Sequence, residues 1–258
     1  MTGAPLNGFK ARLRDGETQW GIWNSLASPV AAEALSLVGF DWMLFDTEHS
    51  PVEVAGLMPI LQAAAAGTAS AVARPAWNDK VLIKRLLDIG VQTLLVPFVE
   101  TAEEAEAAVR ATRYPPNGIR GVAGSTRASR FGMAPGYLQK ANDEICVLVQ
   151  IETSGALSRL EEIASVEGVD GVFIGPSDLS ASMGFLGNPA APEVQDAIRE
   201  AAGRIVASGK APGILATKAE DALRYHEWGY RFVASGVDIP LLVNAAQSML
   251  RQVRPQSV

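Results

Sequence analysis

Short apolar and β-branched runs alternate along the chain with longer Ala-, Leu- and Glu-rich stretches in which apolar positions recur every three or four residues. The short runs predict strands at Gln19–Trp23, Trp42–Asp46, Ser70–Arg74, Thr93–Pro97, Cys146–Glu152, Gly171–Gly175, Ala211–Leu215 and Arg231–Ala234. Each precedes a predicted helix: Pro29–Val38, Val54–Ala65, Asp79–Asp88, Ala102–Thr112, Gly155–Ala164, Pro192–Ser208, Lys218–Trp228 and Asp238–Gln252. Strands separated by helical crossovers run parallel. Eight such units, about 32 residues each, match the repeat of a TIM (β/α)8 barrel. An open doubly wound sheet would show the same alternation. However, the sequence carries neither a P-loop nor a dinucleotide fingerprint: the glycines of Gly118-Ile119-Arg120-Gly121-Val122-Ala123-Gly124 are wrongly spaced and follow no strand. The pattern therefore predicts one α/β barrel domain over residues 1–258.

The exception to short connections is the segment 114–144, rich in glycine and carrying Pro115, Pro116, Arg120, Arg127 and Arg130. A connection of that length is either a functional lid or contact surface, or an ordinary surface excursion.

Composition narrows the chemistry. Lys and Arg number 22 against 28 Asp and Glu, a net charge of -6, and no basic cluster suggests a nucleic-acid surface. The single cysteine, Cys146, excludes an internal disulfide and any zinc site built on cysteine pairs. Met1–Gly8 lacks the basic and apolar blocks of a signal peptide, and no apolar run is long enough for a membrane span. A cytoplasmic protein that binds neither nucleic acid nor membrane is expected.

In a barrel the reacting groups gather at the C-terminal ends of the strands. Here those ends are polar: Asp46-Thr47-Glu48-His49, Arg74-Pro75, Gln150-Ile151-Glu152-Thr153 and Gly175-Pro176-Ser177-Asp178. Ionisable groups at the mouth of an apolar core are costly unless paired or metal-bound. Glu152 and Asp178 lie on adjacent predicted strands. Either alone reads as a salt-bridged rim residue, but together, beside an arginine and a histidine, they suit a hard divalent cation such as Mg²⁺, Mn²⁺ or Co²⁺. His49 is a candidate proton acceptor, and Asp46 a group that could orient its ring. His226, on a polar helix face, reads as surface. Arg74 offers a forked donor to a carboxylate or an oxyanion, held extended by Pro75. A Schiff-base aldolase would need a lysine in the mouth, and Lys10, Lys80, Lys84, Lys140, Lys210 and Lys218 cap no predicted strand. The set favours enolate chemistry on a 2-oxo acid assisted by a metal.

These residues resemble the HpcH/HpaI family of metal-dependent pyruvate aldolases. The matching stretches are Phe45-Asp46-Thr47-Glu48-His49-Ser50, Arg74-Pro75, Leu86-Leu87-Asp88-Ile89-Gly90, Leu95-Val96-Pro97, Gln150-Ile151-Glu152-Thr153 and Phe173-Ile174-Gly175-Pro176-Ser177-Asp178-Leu179-Ser180, in family order between about Trp20 and Leu250. The resemblance implies a metal held by Glu152 and Asp178, and a pyruvate carboxylate meeting the backbone around Gly175, Ser177 and Asp178, with Gln150 beside it. It implies that Arg74 binds the keto oxygen and that His49 takes the C4 hydroxyl proton. Asp88 would reach that histidine from a neighbouring subunit. Leu215 and Trp23 match positions near the aldehyde, and the arginines of the 114–144 segment would either greet an acidic aldehyde or stay solvated. A homo-hexamer of dimers exchanging their last helix is implied as well. The activity expected is cleavage of a 4-hydroxy-2-oxo acid, such as 4-hydroxy-2-oxoheptanedioate or a 2-keto-3-deoxy sugar acid. The alternative is an acyl-CoA lyase of the related citrate/malyl-CoA type, for which no basic CoA groove is evident.

Overall fold

The computed structural model describes residues 3–254, so residues 1–2 and 255–258 of the predicted domain lie outside the described residues. Eight strands close a barrel in sequence order: β1 (Gln19–Asn24), β2 (Trp42–Asp46), β3 (Ser70–Arg74), β4 (Thr93–Val96), β5 (Cys146–Ile151), β6 (Gly171–Ile174), β7 (Ala211–Leu215) and β8 (Phe232–Val237). Every neighbouring pair is parallel, and β8 pairs with β1 to complete the ring. The barrel expectation holds.

The helices are α1 (Gly8–Arg14), α2 (Pro29–Ser36), α3 (Val54–Ala64), α4 (Lys80–Asp88), α5 (Ala102–Thr112), α6 (Tyr137–Glu144), α7 (Ser154–Ser158), α8 (Leu160–Ala164), α9 (Pro176–Ser182), α10 (Pro192–Ala207), α11 (Ala219–Glu227) and α12 (Asp238–Val253). Side-chain caps start several of them, as where Asp79 accepts from the Val81 and Leu82 N–H groups. The helix predicted at 155–164 is interrupted at Arg159, and α1, α6 and α9 arise in segments that carried no helix prediction. Helix α1 has a clear packing reason. Phe9 is fully buried and meets the edges of Trp42 and Phe232, with ring centroids 6.0 Å from each. It plugs the barrel at the N-terminal ends of the strands.

Successive strand residues face opposite sides of the sheet. The inward set Trp42, Leu44, Val72, Leu95, Cys146, Leu148, Phe173 and Phe232 fills the barrel, while Met43, Phe45, Val147, Val149, Val172 and Ile174 pack beneath the helices. Gly21 makes room inside: a Cβ there would stand 2.1 Å from the Trp42 ring. Continued to the other end, the inward parity of β1, β2, β3, β5, β6 and β7 arrives at Trp23, Asp46, Arg74, Gln150 and Glu152, Gly175, and Leu215. The alternation that fills the core also aims the polar residues into the mouth.

Candidate active site

A cleft of about 270 Å³ opens at the C-terminal ends of the strands. Trp23, His49, Arg74, Gln150, Gly175, Ser177, Asp178 and Leu215 all line it. Asp46 and Glu152 lie just beneath, almost wholly buried.

Arg74 is clamped on three sides. Its Nε donates to Asp46 Oδ1 at 2.9 Å and its Nη2 to Asp46 Oδ2 at 2.6 Å. Its Nη1 lies 3.0 Å from Glu48 Oε2, and its guanidinium carbon sits 4.7 Å from the centre of the Trp23 ring. Asp46 also accepts from Trp23 Nε1 at 3.2 Å and from the Glu48 N–H at 3.0 Å. Burial pushes the Asp46 carboxyl up, but the hydrogen bonds and charge of Arg74 outweigh it and hold the group below its ordinary value. With the guanidinium immobilised, its uncommitted N–H groups form a preorganised donor toward the cleft.

His49 stands just beyond β2, with an exposed side chain. Its Nε2 is 3.8 Å from Glu48 Oε1, and its backbone N–H meets Asp46 Oδ1 at 3.4 Å. The sequence expectation that Asp46 orients the His49 ring is corrected here. Asp46 is occupied by Arg74, Trp23 and backbone, and the acid beside the ring is Glu48. Burial first, then the nearby Asp46 and Asp178 charges, raise Glu48 against the pull of Arg74 and His49.

Glu152 is 1% exposed. Its Oε1 accepts the Phe98 N–H at 2.8 Å, and its Oε2 accepts from Gln150 Nε2. Its hydrogen bonds therefore come from neutral groups, and burial drives its pKa up to about 7, with the charges of Asp178 and Glu48 adding to the rise. Gly175 makes this placement possible, since a Cβ there would stand 2.7 Å from Glu152 Oε2. Gln150 Oε1 is buried with no hydrogen-bond partner among the described residues. Asp178 enters from the first turn of α9. Among the described residues no group of three or more His, Cys, Asp or Glu side chains gathers as a ready-made metal cage.

Asp88 is not in this mouth. It ends α4, which runs from the mouth toward the opposite end of the barrel. There it pairs with Arg120 at 2.9 Å, and Arg120 is fully buried against the Tyr114 ring, 4.4 Å from its centre. The segment 114–144 joins the end of α5 to the start of β5, so it also belongs to that opposite end. Arg127 Nη1 donates to the Ile89 carbonyl at 2.6 Å. An acidic aldehyde in this chain's own cleft is therefore out of reach of those arginines, because a strand–helix unit separates the two ends. His226 packs on Trp20, with ring centroids 5.5 Å apart, away from the mouth.

Glu48 and Phe98 are the contributors that sequence reasoning left without a role. Glu48 belongs to the polar run after β2 but lies beyond the strand, where alternation no longer fixes direction. Phe98 acts through its backbone N–H, for which a side chain gives no signal.

An eight-stranded parallel barrel with buried acids and a clamped arginine at its C-terminal mouth has the architecture on which barrel enzymes assemble their active sites. The chain belongs to the HpcH/HpaI aldolase/citrate lyase family, whose pattern it matches over residues 19–245. It is 56% identical to the 4-hydroxy-2-oxo-heptane-1,7-dioate aldolase of Escherichia coli over 252 residues, covering 97% of this chain and 96% of that one. It is also 56% identical to the pyruvate aldolase of Rhizobium etli over 245 residues, covering 95% and 96% respectively. The crystal structure of an HpcH/HpaI aldolase/citrate lyase family protein from Burkholderia cenocepacia superposes with a TM-score of 0.94 at 41% identity, covering 97% of this chain and all of that one. No helix among the described residues is long and apolar enough to cross a membrane.

Proposed function

We propose that the protein is a class II pyruvate aldolase, a carbon–carbon lyase that reversibly cleaves a 4-hydroxy-2-oxo acid to pyruvate and an aldehyde. The substrate is 4-hydroxy-2-oxoheptanedioate or a 2-keto-3-deoxy sugar acid. The names of the E. coli and Rhizobium relatives support the reaction class. The observation that carries the reading is the placement of a buried carboxylate without a cationic hydrogen-bond donor, Glu152, beside a cleft lined by Asp178 and a clamped Arg74.

The donor set fits a divalent cation, Mg²⁺, Mn²⁺ or Co²⁺. Hard carboxylate oxygens suit these ions, and the burial that disfavours an ionised Glu152 is relieved by a bound positive charge. Glu152 and Asp178 would hold it. When bound, such an ion supplies Lewis-acid polarisation of the 2-oxo group. Arg74 donates to the oxygen on which charge develops as the C3–C4 bond breaks, and the Asp46 and Glu48 clamps keep its fork from swinging away. His49 accepts the C4 hydroxyl proton, so the aldehyde carbonyl forms as the bond electrons pass to C3. Gln150, Ser177 and the backbone at Gly175 bind the pyruvate end, and Trp23 and Leu215 wall the aldehyde side.

Asp88 acts on the His49 of a neighbouring copy, because its own barrel separates it from its own mouth. The assembly is a homo-hexamer of dimers that exchange α12. In support, α12 buries only Asp238 among its described residues and leaves Leu241, Leu242, Met249 and Val253 exposed.

Pyruvate release from 4-hydroxy-2-oxoheptanedioate, followed after EDTA treatment and again after Mn²⁺ addition, tests the reading. Loss and recovery are expected. Release indifferent to EDTA would overturn the metal assignment, and no release in either state would move the acyl-CoA lyase reading to the front.

A further inference from the structure

Phe98 sits just past the end of β4 with φ +47, in the left-handed region that residues with a bulky side chain rarely adopt. The conformation has a local purpose. In an extended strand, successive N–H groups point to opposite sides. Here the Phe98 N–H reaches Glu152 Oε1 at 2.8 Å and the next one, of Val99, reaches the Gln150 carbonyl at 3.2 Å. The left-handed residue turns both donors toward the end of β5.

The rest of this connection is tied to the same place. Glu100 Oε1 accepts from Thr153 Oγ1 at 2.7 Å, and the Glu100 carbonyl accepts from Arg159 Nε at 2.8 Å. Residues 98–100 thus form a strap across residues 150–153. On its outer side the Phe98 ring stacks on Trp77, with centroids 5.8 Å apart and planes 27° from parallel. Trp77 comes from the connection after β3 and is 56% exposed, a large apolar ring kept at the surface. A strained residue persists only where its surroundings over-determine it, and the indole closes the side that the backbone bonds leave open.

We propose that Trp77 and Phe98 are a positioning pair: by locking the left-handed turn, their stack presents the Phe98 N–H to Glu152 and sets how tightly the mouth binds a divalent cation. This rests on the reading of Glu152 as a metal ligand. Neither ring lines the cleft. Their effect passes through one backbone hydrogen bond, the kind of outer-shell support whose loss weakens metal affinity by about 10–100-fold.

The test is Mn²⁺ titration of the full-length, metal-stripped protein, read as Kd rather than as turnover. Trp77→Ala and Phe98→Ala should each weaken Mn²⁺ binding by about tenfold. The double variant should be no weaker than the worse single one, because the rings act as a unit. Trp77→Phe and Phe98→Tyr, which keep a stack, should bind as the unaltered protein does. Phe98→Gly should recover part of the Mn²⁺ affinity lost in Phe98→Ala, since glycine accepts the turn at no steric cost. Unchanged Mn²⁺ affinity in folded Trp77→Ala and Phe98→Ala would overturn the pair. Glu152→Ala, measured alongside, separates the two readings: if it retains stoichiometric Mn²⁺, the metal assignment itself falls.

Discussion

Arg74 and Asp46 meet as a bidentate pair at 2.9 and 2.6 Å, both buried, at paired positions on adjacent strands. The pair fixes the plane of the guanidinium before any substrate arrives. Asp46→Ala should destabilise the fold by about 3–5 kcal/mol, because it strands a buried charge. Arg74→Lys keeps the charge but loses the fork, so aldol cleavage should fall about 10²–10³-fold while Mn²⁺ affinity stays near its original value. Chemical denaturation and steady-state kinetics measure the two effects.

The same pair predicts a pH dependence. The folded-state pKa of Asp46 is depressed, so its contribution to stability is complete above the unfolded value, about 3.9. That contribution drains away as pH falls through the lower folded value. Melting curves between pH 6 and pH 2, compared with those of Asp46→Asn, should diverge above about pH 4 and converge at the acid end.

Glu152 runs in the opposite sense. Its folded pKa is raised to about 7 from 4.5, so the metal-free protein takes up a proton that the unfolded chain releases. Metal-free stability should decline as pH rises from about 4.5 to 7. With Glu152 as the proposed metal ligand, Mn²⁺ binding should displace that proton. Calorimetry in buffers of different ionisation enthalpy should detect close to one proton released at pH 6 and little at pH 8.5. Equal release at both would contradict the assignment.

Gly175→Ala places a methyl group 2.7 Å from Glu152 Oε2 and 2.8 Å from its Cβ, both inside van der Waals contact. Glu152 must move, and Mn²⁺ affinity should fall by about 10–100-fold. Phe9→Ala, at the far end of the barrel, should cost about 3–5 kcal/mol of stability yet leave kcat unchanged at temperatures where the protein is folded. Together the two variants test whether one end of the barrel carries the chemistry and the other the stability.

Much of this was legible in the sequence because two periodicities do the work. The positions of Asp46, Arg74, Glu152 and Gly175 at the ends of predicted strands marked them for the mouth, and the alternation of strand and helix runs gave the eight parallel units; only the structure's inward parity shows how they are aimed. Legibility ended where those periods end. Helix α1 is too short to show a helical stripe, and only the buried contacts of Phe9 explain it. The predicted 155–164 helix breaks at Arg159, whose backbone leaves helical geometry and whose Nε reaches the Glu100 carbonyl, 59 residues away in sequence. Asp88 carried no local signal of chemistry, since its partner Arg120 lies in a connection without periodicity. The arginines of 114–144 seemed available to the mouth until the topology put their segment at the opposite end. Glu48 lay in a motif that was already singled out, but its direction is set by Arg74.

The proposed function has this mouth generate a pyruvate enolate only with a divalent cation held by Glu152 and Asp178. It is tested most directly by deuterium incorporation at C3 of pyruvate in D₂O, followed by NMR without any aldehyde. Exchange is expected with Mn²⁺ present, none after EDTA, and none in Glu152→Ala at the same metal concentration. Exchange that continues in the chelated protein, or at full rate in Glu152→Ala, would contradict it.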